Sequence, residues 1–158
     1  FYRTELSVGL ALDPLLPRFA ERAADDGVAF DVQIPESLFI LADETALRTV
    51  VRNLLENAFE AVREKQIDPS VSLTASPVAG EVVVKVADNG RGFEPSTTDR
   101  LFDKFYRPGV ELRRSGRGAG LGLHIVRSLM LSSGGRIQGH SAGPGRGAEF
   151  RTYWPPPA

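Results

Sequence analysis

An α/β fold is predicted for this chain by three observations. Three stretches, 13–26, 43–65 and 118–133, carry apolar residues at three- and four-residue steps, the period of a helix with one face on a core. Seven shorter stretches alternate or run apolar between Gly, Pro, Asn and Asp punctuation, as strands do. With 42% hydrophobic and 25% charged residues, 158 positions make about one domain with a sizeable core.

Thr4 to Leu12 alternates loosely and reads as a strand. Asp13 then caps a helix with Pro14 at its first position, where the missing N–H costs nothing, and Leu15, Leu16, Phe19, Ala20 and Ala23 share one face. Asp26-Gly27 ends it. Val28 to Ile34 alternates as a half-buried strand, and Leu38 to Ala42 is a short apolar strand leading into the central helix.

That helix, Asp43 to Lys65, has the clearest signals in the chain. Leu47, Val50, Val51, Leu54, Leu55, Ala58, Ala61 and Val62 form its apolar stripe. Asp43 is placed to cap it, Glu44 complements its first turn, and Arg63 and Lys65 its C-terminal end. Asn53, Asn57 and Glu60 line a second edge about a turn apart. Asparagine is a poor mid-helix residue, because its amide competes for backbone hydrogen bonds, so two stacked ones point to a task.

Asp68-Pro69 breaks the chain, and Val71 to Ala75 and Glu81 to Ala87 form two strands joined at Pro77 to Gly80. The residues 89–117 show no long periodic segment and read as a functional loop or lid. Helical spacing returns at Gly118 to Ser133, Gly134-Gly135 ends it, and Arg136 to Ser141 and Ala148 to Trp154 close the chain as a hairpin before a tail at 155–158.

Composition removes several functions. A net charge of −1 gives no electrostatic case for nucleic acid or an anionic membrane as the main partner. There is no cysteine, so disulfide and thiolate chemistry is excluded, which fits a reducing cytosol. Two histidines, His124 and His140, are too few for a histidine-rich metal site, and no apolar run reaches the ~20 residues that span a bilayer. The chain starts at Phe1 and is read as one 1–158 domain cut from a longer, cytoplasmic or membrane-anchored parent.

Two glycine-bearing segments carry the chemical signal. Asp88-Asn89-Gly90-Arg91-Gly92-Phe93 follows a valine-rich strand, delivering a carboxylate at a strand end beside glycines that let the backbone approach a flat ligand. Gly116 to Gly122 runs into a helix, where free backbone N–H groups and the helix dipole favour an anion. Neither segment is a dinucleotide-type GxGxxG or a P-loop GxxxxGK.

With RNLLENAFEA, DNGRGF, LFDKFYR and GRGAGLGLHIV in this order, the sequence resembles the catalytic and ATP-binding domain of bacterial sensor histidine kinases, in the GHKL superfamily, from Thr4 to Trp154. The resemblance implies a two-layer α/β sandwich, with three helices on one face of a mixed sheet and ATP between the central helix and a lid at 89–117. It implies that Asn57 is the Mg²⁺ ligand, with Asn53 beside it at the phosphates. Asp88 would read the adenine amino group, flanked by Gly90 and Gly92. Phe102 and Phe105 would anchor the lid. Gly118, Gly120 and Gly122, with Leu123 following, would wrap the phosphates, and Lys104, Arg107 and Arg117 would neutralise them.

Two positions depart from the family pattern. Glu60 stands where many relatives carry a cation, and Ala119 where Thr or Ser is frequent. Neither histidine has the context of the phosphoacceptor, which the family carries on a separate dimerising helix hairpin. The expected partners are therefore that hairpin and, downstream, a response regulator. A GHKL ATPase is disfavoured because Asn53 replaces the glutamate that activates water four residues before the Mg²⁺ asparagine. A non-catalytic nucleotide- or partner-binding module is the other alternative.

Overall fold

The computed structural model describes residues 2–103 and 119–158, without the side chains of 119–121. Strand β1, Thr4–Ser7, leads into helix α1, Val8–Leu12, then a 3₁₀ turn at Asp13–Leu15 and helix α2, Leu16–Asp26. Strands β2, Ala29–Gln33, and β3, Phe39–Ala42, precede helix α3, Glu44–Ala61. Strands β4, Ser70–Val78, and β5, Glu81–Asp88, form a hairpin. A 3₁₀ turn at Pro95–Arg100 follows, then helix α4, Ala119–Ser132, and strands β6, Arg136–His140, and β7, Ala148–Trp154.

Two sheets result. The main one has the order β2-β4-β5-β7-β6, with β2 parallel to β4 and every other pair antiparallel; β1 and β3 pair separately. This is the mixed α/β architecture expected. Period-2 alternation sends Val71, Leu73, Val82, Val84, Val86, Phe150, Thr152 and Trp154 to one face, where the helices cover them. On the opposite face Lys85 lies 3.9 Å from Glu149, and Arg136 bonds Glu81 at 3.0 Å while standing over the Tyr153 ring.

Helix α3 lies at the centre of the covered face. Ala46, Leu47, Val50, Val51, Leu54, Leu55, Ala58 and Phe59 are buried, and Asp43 caps the helix by accepting the Ala46 amide at 2.9 Å. Phe59, outside the apolar stripe read from sequence, stacks on Phe19 at 5.7 Å and meets Phe30 edge-on at 5.5 Å. The rings tie α2 and β2 to α3.

Three expectations are corrected. The strand at Thr4 to Leu12 stops at Ser7, whose hydroxyl accepts the Leu10 amide at 3.2 Å and caps α1; Val8, Ala11 and Leu12 then follow helical spacing into the core. Asp13 is no N-cap, since it closes α1, its amide donating to the Gly9 carbonyl, and α2 starts at Leu16, with Pro17 in its first turn. Helix α3 ends at Ala61, so Arg63 and Lys65 lie beyond its last turn. The C-cap of α2 is as expected, with Gly27 left-handed at φ 71°.

Candidate nucleotide site

Asp88 closes β5 in the same parity as Val82, Val84 and Val86, so its side chain emerges on the helix-covered face. It faces a cleft walled by Asn57 and Ala61 of α3, Arg91 to Phe93, Leu101, Leu123 of α4, and Ala148 and Phe150 of β7. The carboxylate accepts the Gly90 amide at 2.8 Å and is also met by the Ala148 amide, which the β5–β7 register sets opposite it. Burial pushes its pKa from 3.8 up to about 6; the Gly90 amide, the Arg91 charge and the Ala148 amide pull it back. Near neutral pH the group is a desolvated, ionised acceptor at the end of a mostly apolar cleft.

The turn after Asp88 is pressed against the end of α3. The Arg91 amide donates to the Ala61 carbonyl at 3.0 Å, and a Cβ on Gly90 would overlap that carbonyl. Only glycine permits this approach. Asn89 fixes the other side, accepting the Ser70 amide and donating to the Asp68 carbonyl, each at 2.8 Å.

About two turns back from Ala61 along α3, Asn53 donates its amide to the Thr49 carbonyl at 2.8 Å, which leaves Oδ1 directed away from its own helix. Gly122, in the first turn of α4, sits over both asparagines: its Cβ position lies 3.9 Å from Asn53 Oδ1 and 3.8 Å from each terminal atom of the Asn57 amide. Asn57 Nδ2 is buried and has no hydrogen-bond partner among the described residues. A buried donor left unmet costs about 1–3 kcal/mol, so this amide, like Ser133 Oγ, is open to a partner beyond the described residues. Glu60, on the same edge of α3, pairs with Arg63 at 3.3 Å.

The structure therefore gathers Asn57, Asp88, Gly92 and Leu123 around one cleft, with Gly90 behind Asp88, and places Asn53 and Gly122 at its α3–α4 end. Gly120 belongs to the first turn of α4. Phe102 is not in this cleft: it packs edge-on against Phe150 at 6.3 Å and is buried in the core. Lys104, Phe105, Arg107, Arg117 and Gly118 lie outside the described residues. Leu101, Ala148 and Phe150 are not singled out by the sequence, and Ala61 and Phe93 enter it only as stripe and turn residues, although Ala148 is recoverable once β5 and β7 are paired antiparallel.

Residues 42–158 match the family of histidine kinase-, DNA gyrase B- and HSP90-like ATPases. Sensor histidine kinase component HK1 of Mycobacterium tuberculosis is 32% identical over 148 residues, which cover 94% of this chain and 83% of that protein. This chain belongs to the sensor histidine kinases. A second histidine kinase relative, Hik2 of Synechocystis, is 32% identical over 94% of this chain but only 36% of its own length. The solved catalytic domain of histidine kinase ThkA shares the fold, with a TM-score of 0.81 at 24% identity, covering 98% of this chain and 97% of that one. Full-length ShkA, solved in complex with AMPPNP, is 30% identical with a TM-score of 0.77, covering 97% of this chain and 31% of that one. Within this histidine kinase family, the ATP-binding domain is the part that this chain supplies. No helix among the described residues is long and apolar enough to cross a membrane.

Proposed function

We propose that the cleft binds ATP with Mg²⁺ and that the chain transfers the γ-phosphoryl group to a histidine on a separate helical domain of its parent kinase. The observation that carries this is one ionised acceptor, Asp88, lining the same cleft as Asn57, whose buried Nδ2 has no partner among the described residues, with glycine backbone at both ends. Asp88 would accept from the exocyclic amine of adenine. Gly92 and Phe93 would lie along the base, and Asn53 and Asn57, beneath the start of α4, would face the phosphates. The AMPPNP held by the ShkA relative supports a nucleotide in this fold.

The side-chain oxygens of Asn53 and Asn57 suit a hard cation, and no group of three or more His, Asp or Glu capable of holding a metal occurs among the described residues. Mg²⁺, when bound, offsets the charge on the transferred phosphoryl group. In the transfer an imidazole nitrogen of the acceptor forms a bond to Pγ, the bond from Pγ to the β–γ bridging oxygen breaks, and ADP leaves. With asparagine at position 53, no carboxylate stands one turn before Asn57 to activate water, so hydrolysis would be slow.

Two measurements test this. Mixed with the histidine-bearing helix hairpin of its parent and γ-labelled ATP, the chain should give an acid-labile, alkali-stable label and little free phosphate. Rapid phosphate release without labelled histidine would make it an ATPase, and nucleotide binding with neither outcome a non-catalytic module, a reading that the departures at Glu60 and Ala119 favour. In calorimetry, Asn57→Ala should lower the Mg²⁺-dependent part of ATP affinity by about 1–3 kcal/mol while ADP binding without Mg²⁺ changes little. Equal Mg²⁺ dependence in the two proteins would remove Asn57 from the cation site.

A further inference from the structure

We infer that Ser141 is a positioning residue for the base end of the cleft, its buried hydroxyl locking the turn after Asp88 to the glycine-rich loop that leads into β7. The inference deepens the nucleotide assignment and rests on it.

Ser141 is 3% exposed and sits just beyond the end of β6. Its Oγ accepts the Phe93 amide at 3.1 Å and the Gly143 amide at 3.1 Å. Its single proton goes to the Gly147 carbonyl at 2.6 Å, a shorter contact than the Gly143 carbonyl at 3.2 Å. One hydroxyl thus uses its donor and both lone pairs, the full capacity of the group.

The partners are the two segments that wall the cleft. Phe93 ends the turn that begins at Asp88, and Gly147 precedes Ala148, whose amide meets the Asp88 carboxylate. Two backbone bonds run alongside, Gly145 N–H to Arg91 O at 2.6 Å and Gly147 N–H to Gly90 O at 3.0 Å. Ser141 completes this zipper at its far end. It also fills the space beside Gly92, where a Cβ would stand 2.8 Å from Oγ, and Gly92 is left-handed at φ 62°. Ser141 does not wall the cleft; it acts through Phe93 and Gly147. Its hydroxyl sets where those backbones stand, and they set the width of the base slot.

The test is calorimetry with ADP on the whole 158-residue chain, the native protein beside Ser141→Ala and Ser141→Thr, with Thr152→Val as a comparator. Thr152 is equally buried and bonds the Val84 carbonyl and Trp154 indole, away from the turn, so its loss lowers stability without touching the zipper. Loss of the Ser141 hydroxyl should raise the Kd for ADP by about tenfold, and Thr, which keeps the hydroxyl, should recover most of it; Thr152→Val should bind like the native chain. Amide exchange in the ligand-free proteins supplies an independent readout: Phe93, Gly145 and Gly147 should exchange faster in Ser141→Ala and not in Thr152→Val. Native ADP affinity together with unchanged exchange in Ser141→Ala overturns the inference. So does an equal loss of affinity in Thr152→Val, which would reduce the effect to general stability. Faster exchange in Ser141→Ala with no ADP binding by the native chain would uphold the lock and strike the nucleotide assignment instead.

Discussion

Gly90→Ala lowers the melting temperature of the domain by about 6–12 °C and abolishes measurable ADP binding, an expectation scaled from a loss of about 3 kcal/mol in a chain of this length. The added methyl would occupy the place of the Ala61 carbonyl, which is the last turn of α3 and cannot retreat without breaking its helix. The turn must move instead. It then loses the Arg91 amide bond to Ala61 and the Gly147 amide bond to the Gly90 carbonyl, and the Gly90 amide leaves the Asp88 carboxylate. Thermal denaturation followed by calorimetry with ADP checks both halves. A variant with native melting temperature would show that the approach of turn and helix is looser than 3.0 Å implies.

Asp88→Asn should separate stability from binding. A folded-state pKa raised from 3.8 to about 6 means that the native state holds its proton more tightly than the unfolded chain. Stability from this group is full below about pH 4, falls as pH rises through about 6, and then stays level. The cost of ionising the buried carboxyl above that window is about 3 kcal/mol. Asparagine carries no such cost. It offers only one oxygen to the two amides of Gly90 and Ala148, however, which returns about 1–3 kcal/mol of the gain. The variant should therefore melt at or above the native temperature at pH 7.5, and its stability should lack the native decline between pH 4 and 6. ADP affinity should nevertheless drop by about 5–150-fold, because an amide cannot accept from the base and satisfy both backbone donors. A variant that keeps ADP affinity would take adenine away from Asp88; one with an unchanged pH profile would mean that the carboxyl is not desolvated.

The parts of the site that follow from short-range pattern were legible in the chain. Asp88 could be found because period 2 along Val82, Val84 and Val86 fixes the face on which the next residue in step emerges. Asn53 and Asn57 could be found because asparagine runs against helix propensity where leucine and valine around it do not. What stayed hidden depends on distant pairing. Ser141 looks like any serine at a glycine-rich turn until Phe93, 48 residues earlier, is brought to its hydroxyl. Helix α1 was read as strand because Leu6, Val8, Leu10 and Leu12 alternate on paper; the cap at Ser7 changes the period, and Leu10 is left outside at 72% exposure. Phe102 is read from its box as an anchor of the lid, and only the fold shows what it packs on, the Phe150 ring.

The bond from the Arg91 amide to the Ala61 carbonyl has a consequence for which nucleotides fit. It welds the turn that carries Asp88 to the same rigid rod that carries Asn57, and from Asn57 to Ala61 is one helical turn, about 6 Å along the axis. The two ends of the site therefore cannot drift apart or slide past each other, and α3 works as a gauge block between them. A ligand seated against Asp88 meets Asn57 at a fixed offset. On the proposed assignment, selection would rest on span as well as on hydrogen bonding: a base seated high against Asp88 would carry its phosphates past Asn57.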